Sequence, residues 1–74
     1  MTLHNRLREL RLKGKLTQQR LASAAGISRQ TIIAIEKGRL VPSVNLALRL
    51  ASVLGVQLEE LFWLEAGEKP SEKE

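Results

Sequence analysis

Cysteine, aspartate and tyrosine are absent from this sequence of 74 residues, and histidine occurs once, as His4. Without cysteine the chain cannot form a disulfide or offer a thiolate to a metal. No cluster of His, Asp and Cys suggests acid–base or nucleophilic chemistry, so we expect no enzyme, no metal site and no cofactor. His4 lies near the start of the chain and is expected at the surface.

Long apolar runs are also missing. No stretch approaches the roughly 18 apolar residues that a membrane-spanning helix needs, and no signal peptide is recognisable. We therefore expect a cytoplasmic protein without a membrane segment. The length fits one domain, which we place at residues 1–66, and the polar segment 67–74 is expected to be a disordered tail.

Charge is distributed unevenly along the chain. Residues 1–39 hold nine Lys or Arg and two Glu, a net charge of +7, whereas residues 40–74 hold three Lys or Arg and six Glu, a net charge of −3. A concentrated basic surface is typical of proteins that bind nucleic-acid phosphates. An ordinary solvated surface has the same composition, so charge alone does not decide the function.

The segment 17–37 has the pattern of two short helices joined by a tight turn. Thr17 and Ser28 can each cap a helix start with the side-chain oxygen, and Gly26 can take the positive φ that ends the first helix. In the second helix, residues 28–37, Ile32 and Ile35 are spaced to face a core. This pattern is typical of a helix-turn-helix.

The opposite side of the second helix carries Arg29, Gln30, Ile33 and Lys37. Arg can bond bidentately to guanine and Gln to adenine, while an aliphatic group can contact the thymine methyl. The combination predicts a helix that reads base edges in the major groove. Spacing alone favours this interpretation, and the alternative is a helical hairpin with a solvated polar face and no role in DNA binding.

Three stretches carry a resemblance to a known family: LTQQRLA from Leu16, GISRQTI from Gly26 and IEKG from Ile35. They resemble the helix-turn-helix of the phage repressor/Cro family, also called the XRE family, and the likeness extends over about residues 5–62. The resemblance implies an all-α, five-helix, lambda-repressor-like DNA-binding domain. It implies a sequence-specific regulator of transcription that binds double-stranded DNA, with no small-molecule ligand evident.

The resemblance and the positive charges together assign roles to individual residues. Base reading is expected from Arg29, Gln30, Ile33 and Ala34. Phosphate contacts are expected from Thr17, Gln18, Arg20, Thr31, Lys37 and Arg39, although Arg20 fits a solvated position equally well. The resemblance also implies that Gln18 braces Arg29 and that Arg11 forms a structural ion pair with Glu36.

Three more helices complete the predicted domain. The first runs from a cap at Asn5 to about Lys13. The fourth runs from a cap at Ser43 to Leu54 and is so apolar that we expect it to be buried on most sides. The fifth is short, from Gln57 to Leu61 or Phe62.

The C-terminal segment carries more apolar residues than so small a core needs. Leu61, Phe62, Trp63 and Leu64 are therefore predicted to contribute to a homodimer interface. Residues 62–66 can also be extended and pair with residues 1–4 as a short β ribbon. The alternative is a monomer in which Trp63 folds back over the last helix.

These features predict a regulator, taken to be a repressor, that binds a palindromic operator as a homodimer. Its two recognition helices would enter successive major grooves about 34 Å apart. The alternative is a protein-interaction module, such as an antitoxin or adaptor, that binds another protein through its C-terminal apolar patch.

Overall fold

Two short strands flank five helices in the described part of the chain. The structure is a computed structural model, and it describes residues 1–65. Its elements in chain order are β1 (Thr2–Asn5), α1 (Leu7–Lys13), α2 (Gln18–Ala25), α3 (Arg29–Glu36), α4 (Val44–Leu54), α5 (Leu58–Leu61) and β2 (Phe62–Glu65). The expected five-helix fold with a terminal ribbon is confirmed, whereas Ala66 and the predicted tail 67–74 lie outside the described residues.

Side-chain caps begin the helices of the predicted helix-turn-helix. The Thr17 hydroxyl accepts a hydrogen bond from the backbone N–H of Arg20 at 3.0 Å, and the Ser28 hydroxyl accepts one from Thr31 at 3.2 Å. Each bond satisfies an N–H of the first helical turn, and the Thr31 N–H also donates to the Ser28 carbonyl at 3.1 Å. Gly26 ends α2 with φ of +74°, which a residue with a Cβ rarely adopts.

The first helix begins later than the sequence predicts. Asn5 belongs to β1, and α1 starts at Leu7. The Asn5 side chain still supports the helix start, because its Oδ1 accepts a hydrogen bond from the Leu7 N–H at 3.0 Å. Because Asn5 pairs with Phe62 in the ribbon, the N-cap position falls on Arg6, one residue later than predicted.

The core is assembled from side chains of all five helices. Its largest fully buried members are Leu7, Leu21, Ile32, Ile35, Leu50 and Leu61. Leu3 and Leu10 pack against this cluster from its edge and are partly buried. Among residues 1–65, no helix has the length and hydropathy that a membrane crossing requires.

The fourth helix is less enclosed than the sequence predicts. Val44 is 72% exposed and Leu48 is 51% exposed. The prediction of a helix buried on most sides is wrong, because α2 and α5, its main packing partners, cover only one stripe. That stripe consists of Leu46, Ala47, Leu50 and Ala51.

The two strands form an antiparallel ribbon, with Leu3 opposite Leu64 and His4 opposite Trp63. The Trp63 ring stacks on His4 with the ring centroids 5.9 Å apart. The Arg6 guanidinium lies 4.9 Å from the centre of the Trp63 ring, a cation–π contact. Trp63 is therefore held in the ribbon and does not fold back over α5.

Candidate nucleic-acid interface

The turn between α2 and α3 sets the orientation of α3. After Gly26, Ile27 packs partly buried against the core, and Ser28 then caps the new helix. Ile32 and Ile35 are fully buried. One side of α3 is thus held against the domain, which leaves its opposite side toward solvent.

The four predicted base-reading residues lie on or beside that solvent side. Arg29 and Gln30 are exposed in the first turn of α3. Ile33 and Ala34 are partly buried, one turn further along. The surface therefore presents a cation, an amide and some aliphatic area together, the groups that can distinguish guanine, adenine and thymine in a major groove.

Most of the residues predicted to contact phosphates are exposed. Arg20 on α2, Lys37 at the end of α3 and Arg39 in the following loop are all exposed. Thr17 is exposed, and its cap uses the hydroxyl only as an acceptor, so its proton can still be donated. The Thr31 hydroxyl lies 2.9 Å from that of the capping serine, an internal bond that reduces its freedom to meet a phosphate.

A buried ion pair anchors the C-terminal end of α3. Arg11 Nε donates to Glu36 Oε2 at 2.6 Å, and the two side chains are only 8% and 5% exposed. Arg11 Nη1 also donates to the backbone carbonyl of Leu16 at 2.9 Å. One guanidinium thereby ties α1 to the loop before α2 and to the end of α3.

The side chain of Gln18 is engaged with this ion pair. Its Nε2 donates to Glu36 Oε1 at 3.1 Å. The side-chain oxygen of Gln18 is the atom that could accept from Arg29, so the bracing of Arg29 stays a prediction. The bond to Glu36 is favourable because a buried carboxylate needs several donors, and a hydrogen bond to an ionised acceptor is stronger than one between neutral groups. For a phosphate, Gln18 retains its backbone N–H at the start of α2.

Two further long-range hydrogen bonds, one to α3 and one to the last residue of α2, carry no sequence signal. The Asn5 side-chain amide donates to the Ile35 carbonyl at 3.0 Å, across 30 residues. Arg49 Nη1 donates to the Ala25 carbonyl at 2.8 Å, across 24 residues. Only the folded chain brings these partners together, so local spacing could not reveal them.

The predicted interface segment divides between the core and the surface. Leu61 is fully buried and Phe62 is 8% exposed in their own protomer, whereas Leu64 is 60% exposed and Trp63 is partly buried. Leu61 is therefore not accessible to a partner protomer, which corrects the expectation that it contributes to the interface. The accessible apolar surface extends instead onto the loop before α4 and onto α4 itself.

We call this surface the apolar face. It consists of Val41, Val44, Leu48 and Leu64. Three of these residues, all except Leu48, line a groove of about 310 Å³ whose floor is formed by Ala47, Leu58 and Phe62. Leu48 follows Val44 by one helical turn, so it continues the same stripe of α4.

A family model described as "Helix-turn-helix" matches residues 7–61, from the first helix to the fifth. The chain belongs to this helix-turn-helix family. Its sequence is 47% identical over 66 residues to an uncharacterised HTH-type transcriptional regulator of Methanocaldococcus jannaschii, covering 89% of this chain and 100% of that regulator. It is 36% identical over 61 residues to the immunity repressor protein of Bacillus phage phi105, covering 82% of this chain and 42% of the repressor.

A solved structure supports the same assignment for this helix-turn-helix protein. The restriction-modification controller protein C.AhdI from Aeromonas hydrophila superposes with a TM-score of 0.71 and 36% sequence identity, covering 74% of this chain and 83% of that one. The resemblance to XRE-type regulators is confirmed. The protein is a DNA-binding transcriptional regulator, and its family is not a class of enzymes.

Proposed function

We propose that this regulator is a repressor that binds a palindromic operator as a homodimer and reads it with the outward side of α3. The observation that carries the proposal is the orientation of that helix. Ile32 and Ile35 fix its inner side in the core, and Arg29 and Gln30 project from its first turn into solvent. In a helix-turn-helix, the N-terminal residues of the second helix are the ones that meet base edges.

Specificity then resides mainly in two side chains. Arg29 has the fork of donors that matches the two acceptors of guanine, and Gln30 can both donate to and accept from adenine. Ile33 contributes apolar contact to a thymine methyl. Ala34 is too small to select a base, but its size permits a close approach of the helix to the groove.

Affinity comes from a second set of residues that is insensitive to sequence. Arg20, Lys37 and Arg39 are exposed cations, and each phosphate that they neutralise releases counterions. The hydroxyl of Thr17 and the free N–H groups at the start of α2 complete this set. These contacts fix the register of the protein on the duplex without carrying sequence information.

The apolar face supports a homodimer. Val41 and Val44 are each 72% exposed, and neighbouring exposed apolar side chains mark contact surfaces in small soluble domains. One helix-turn-helix covers only half of a palindrome, so a second copy seated on this face would supply the other recognition helix. The name of the phage relative, an immunity repressor, supports repression, and since the target is DNA we place the protein in the cytoplasm.

We predict that Arg29→Ala and Arg39→Ala weaken binding in different ways. Arg29→Ala should cost about 1–3 kcal/mol on the preferred duplex and little on a scrambled one, because a base contact is lost. Arg39→Ala should weaken both duplexes similarly and make the slope of log affinity against log salt shallower by about one, because a phosphate contact is lost. Fluorescence anisotropy at several salt concentrations measures both quantities.

The two variants remove the same charge from exposed positions, so each is the matched control of the other. If Arg29→Ala reduced affinity equally for preferred and scrambled duplexes, Arg29 would be a phosphate contact and the assigned base-reading side would be incorrect. An unchanged salt slope for Arg39→Ala would remove Arg39 from the phosphate-binding set.

A further inference from the structure

Arg49 joins the middle of α4 to the last residue of α2. Its Nη1 donates to the backbone carbonyl of Ala25 at 2.8 Å, and its Nε donates to Asn45 Oδ1 at 2.9 Å. The guanidinium is therefore held at two of its nitrogen atoms, one bond fixing it to α4 and the other fixing it to the end of α2.

The carbonyl that Arg49 contacts lies directly before the helix-turn-helix turn. Ala25 is followed by Gly26, which ends α2 in the left-handed conformation with φ of +74°. Carbonyls in the last turn of a helix have no partner within the helix, and the partial negative charge there favours a cation. Arg49 thus supplies from another helix a donor that α2 itself lacks.

The guanidinium also packs against the turn itself. A Cβ added to Gly26 would lie 3.3 Å from Arg49 Nη1, a tight approach at a position where positive φ already favours glycine. The turn is thereby enclosed on the side that faces α4. Three residues later the chain enters α3, where Arg29 and Gln30 occupy the first two positions.

We propose that Arg49 is a positioning residue for base reading. By holding Ala25 and packing on Gly26, it fixes the angle at which α3 leaves the turn, and so the place of Arg29 and Gln30 in the groove. The inference rests on the proposed function of α3. It adds a determinant of specificity on a helix that contributes none of the base-reading side chains.

A direct phosphate contact by Arg49 is the competing explanation, because its side chain is cationic and exposed. The two roles predict different behaviour. A phosphate contact contributes to all duplexes and adds about 0.9 to the steepness of the salt dependence. A positioning residue acts only where base contacts count, because a tilted α3 still presents the same charges to the backbone.

The test compares three variants by their discrimination ratio, which is the affinity for the preferred duplex divided by the affinity for a scrambled duplex of equal length. Arg49→Met should lower the ratio roughly tenfold, comparable to the loss of one base contact, with an unchanged salt slope. Asn45→Ala retains the Arg49 charge but removes the bond that fixes the guanidinium to α4. It should therefore lower the ratio, but by less than Arg49→Met does. Arg49→Lys retains a donor for the Ala25 carbonyl and should recover part of the ratio that Arg49→Met loses.

A second readout needs no DNA. In the free protein, the amide hydrogens of Gly26 and Ile27 should exchange faster in Arg49→Met than in the wild type, measured by NMR under conditions where circular dichroism shows both to be folded. This readout concerns the turn alone. It therefore tests whether Arg49 stabilises the turn, independently of whether α3 reads bases.

The proposal is overturned if Arg49→Met weakens both duplexes equally with a salt slope shallower by about one, which would make Arg49 a phosphate contact. It is also overturned if the ratio and the exchange at Gly26 are unchanged. Partial unfolding would lower the active fraction for both duplexes alike and leave the ratio intact, so it cannot imitate the expected result. A wild type that showed no preference between duplexes would refute the proposed function. The exchange measurement would still show whether Arg49 stabilises the turn.

Discussion

Arg11→Met is expected to destabilise the fold by about 3–5 kcal/mol, the usual cost of removing one partner of a buried ion pair. Glu36 would stay buried, with only the neutral amide of Gln18 as a hydrogen-bond donor among its present partners. The carbonyl of Leu16 would lose its donor as well. Since domains are stable by about 5–15 kcal/mol in total, this is a large share of the stability. The variant should therefore unfold at a much lower urea concentration than the wild type, as urea titration followed by circular dichroism would show.

Arg8→Met is the matched control for this change. Arg8 is an exposed arginine on the same helix, and surface substitutions usually change stability by no more than about 0.5 kcal/mol. The double variant Arg11→Met/Glu36→Leu should recover most of the loss, because an apolar pair leaves no unpaired charge in the interior. If Arg11→Met cost no more than Arg8→Met, the ion pair would not anchor α3.

Leu48→Glu is expected to separate the homodimer and to reduce operator affinity by about 10²–10⁴-fold, the usual gain from linking two binding modules. Leu48 is 51% exposed on the apolar face, and a carboxylate buried there between two copies would meet a large desolvation cost. Each monomer would still bind one half-site. Analytical ultracentrifugation gives the association state, and anisotropy on a full operator and on a half-operator gives the affinity.

Leu12→Glu is the control, because Leu12 is 50% exposed on α1, outside the apolar face. It introduces the same charge and should leave the association state unchanged. A wild-type protein that remained monomeric at high micromolar concentration would contradict the homodimer. The apolar face would then fit the alternative function, an adaptor or antitoxin that seats a different protein.

The predictable part of this structure depends on local chemistry. A hydroxyl residue before an apolar stripe caps the helix that follows, so Thr17 and Ser28 could be assigned from the sequence. Ile32 and Ile35 could be placed in the core because their spacing matches one side of a helix. Which side of α3 faces outward, on which the proposed function rests, follows from these local signals.

The exposure of α4 and the long-range hydrogen bonds could not be predicted, because they depend on which helices pack against each other. The sequence of α4 is apolar on most sides, but only packing decides that Val44 and Leu48 stay uncovered. Gln18 donates to Glu36 because that buried carboxylate lies within its reach. The bond from Arg49 to Ala25 likewise joins residues whose separation carries no periodic signal.

Selection of bound duplexes from a random pool tests most directly whether the outward side of α3 reads bases. The wild type should enrich a two-fold symmetric consensus whose half-sites lie about 10–10.5 base pairs apart, or a multiple of that spacing. Gln30→Ala should enrich the same consensus with the preference relaxed at one position in each half-site. The absence of any consensus, or identical preferences for the wild type and Gln30→Ala, would contradict base reading by the outward side of α3.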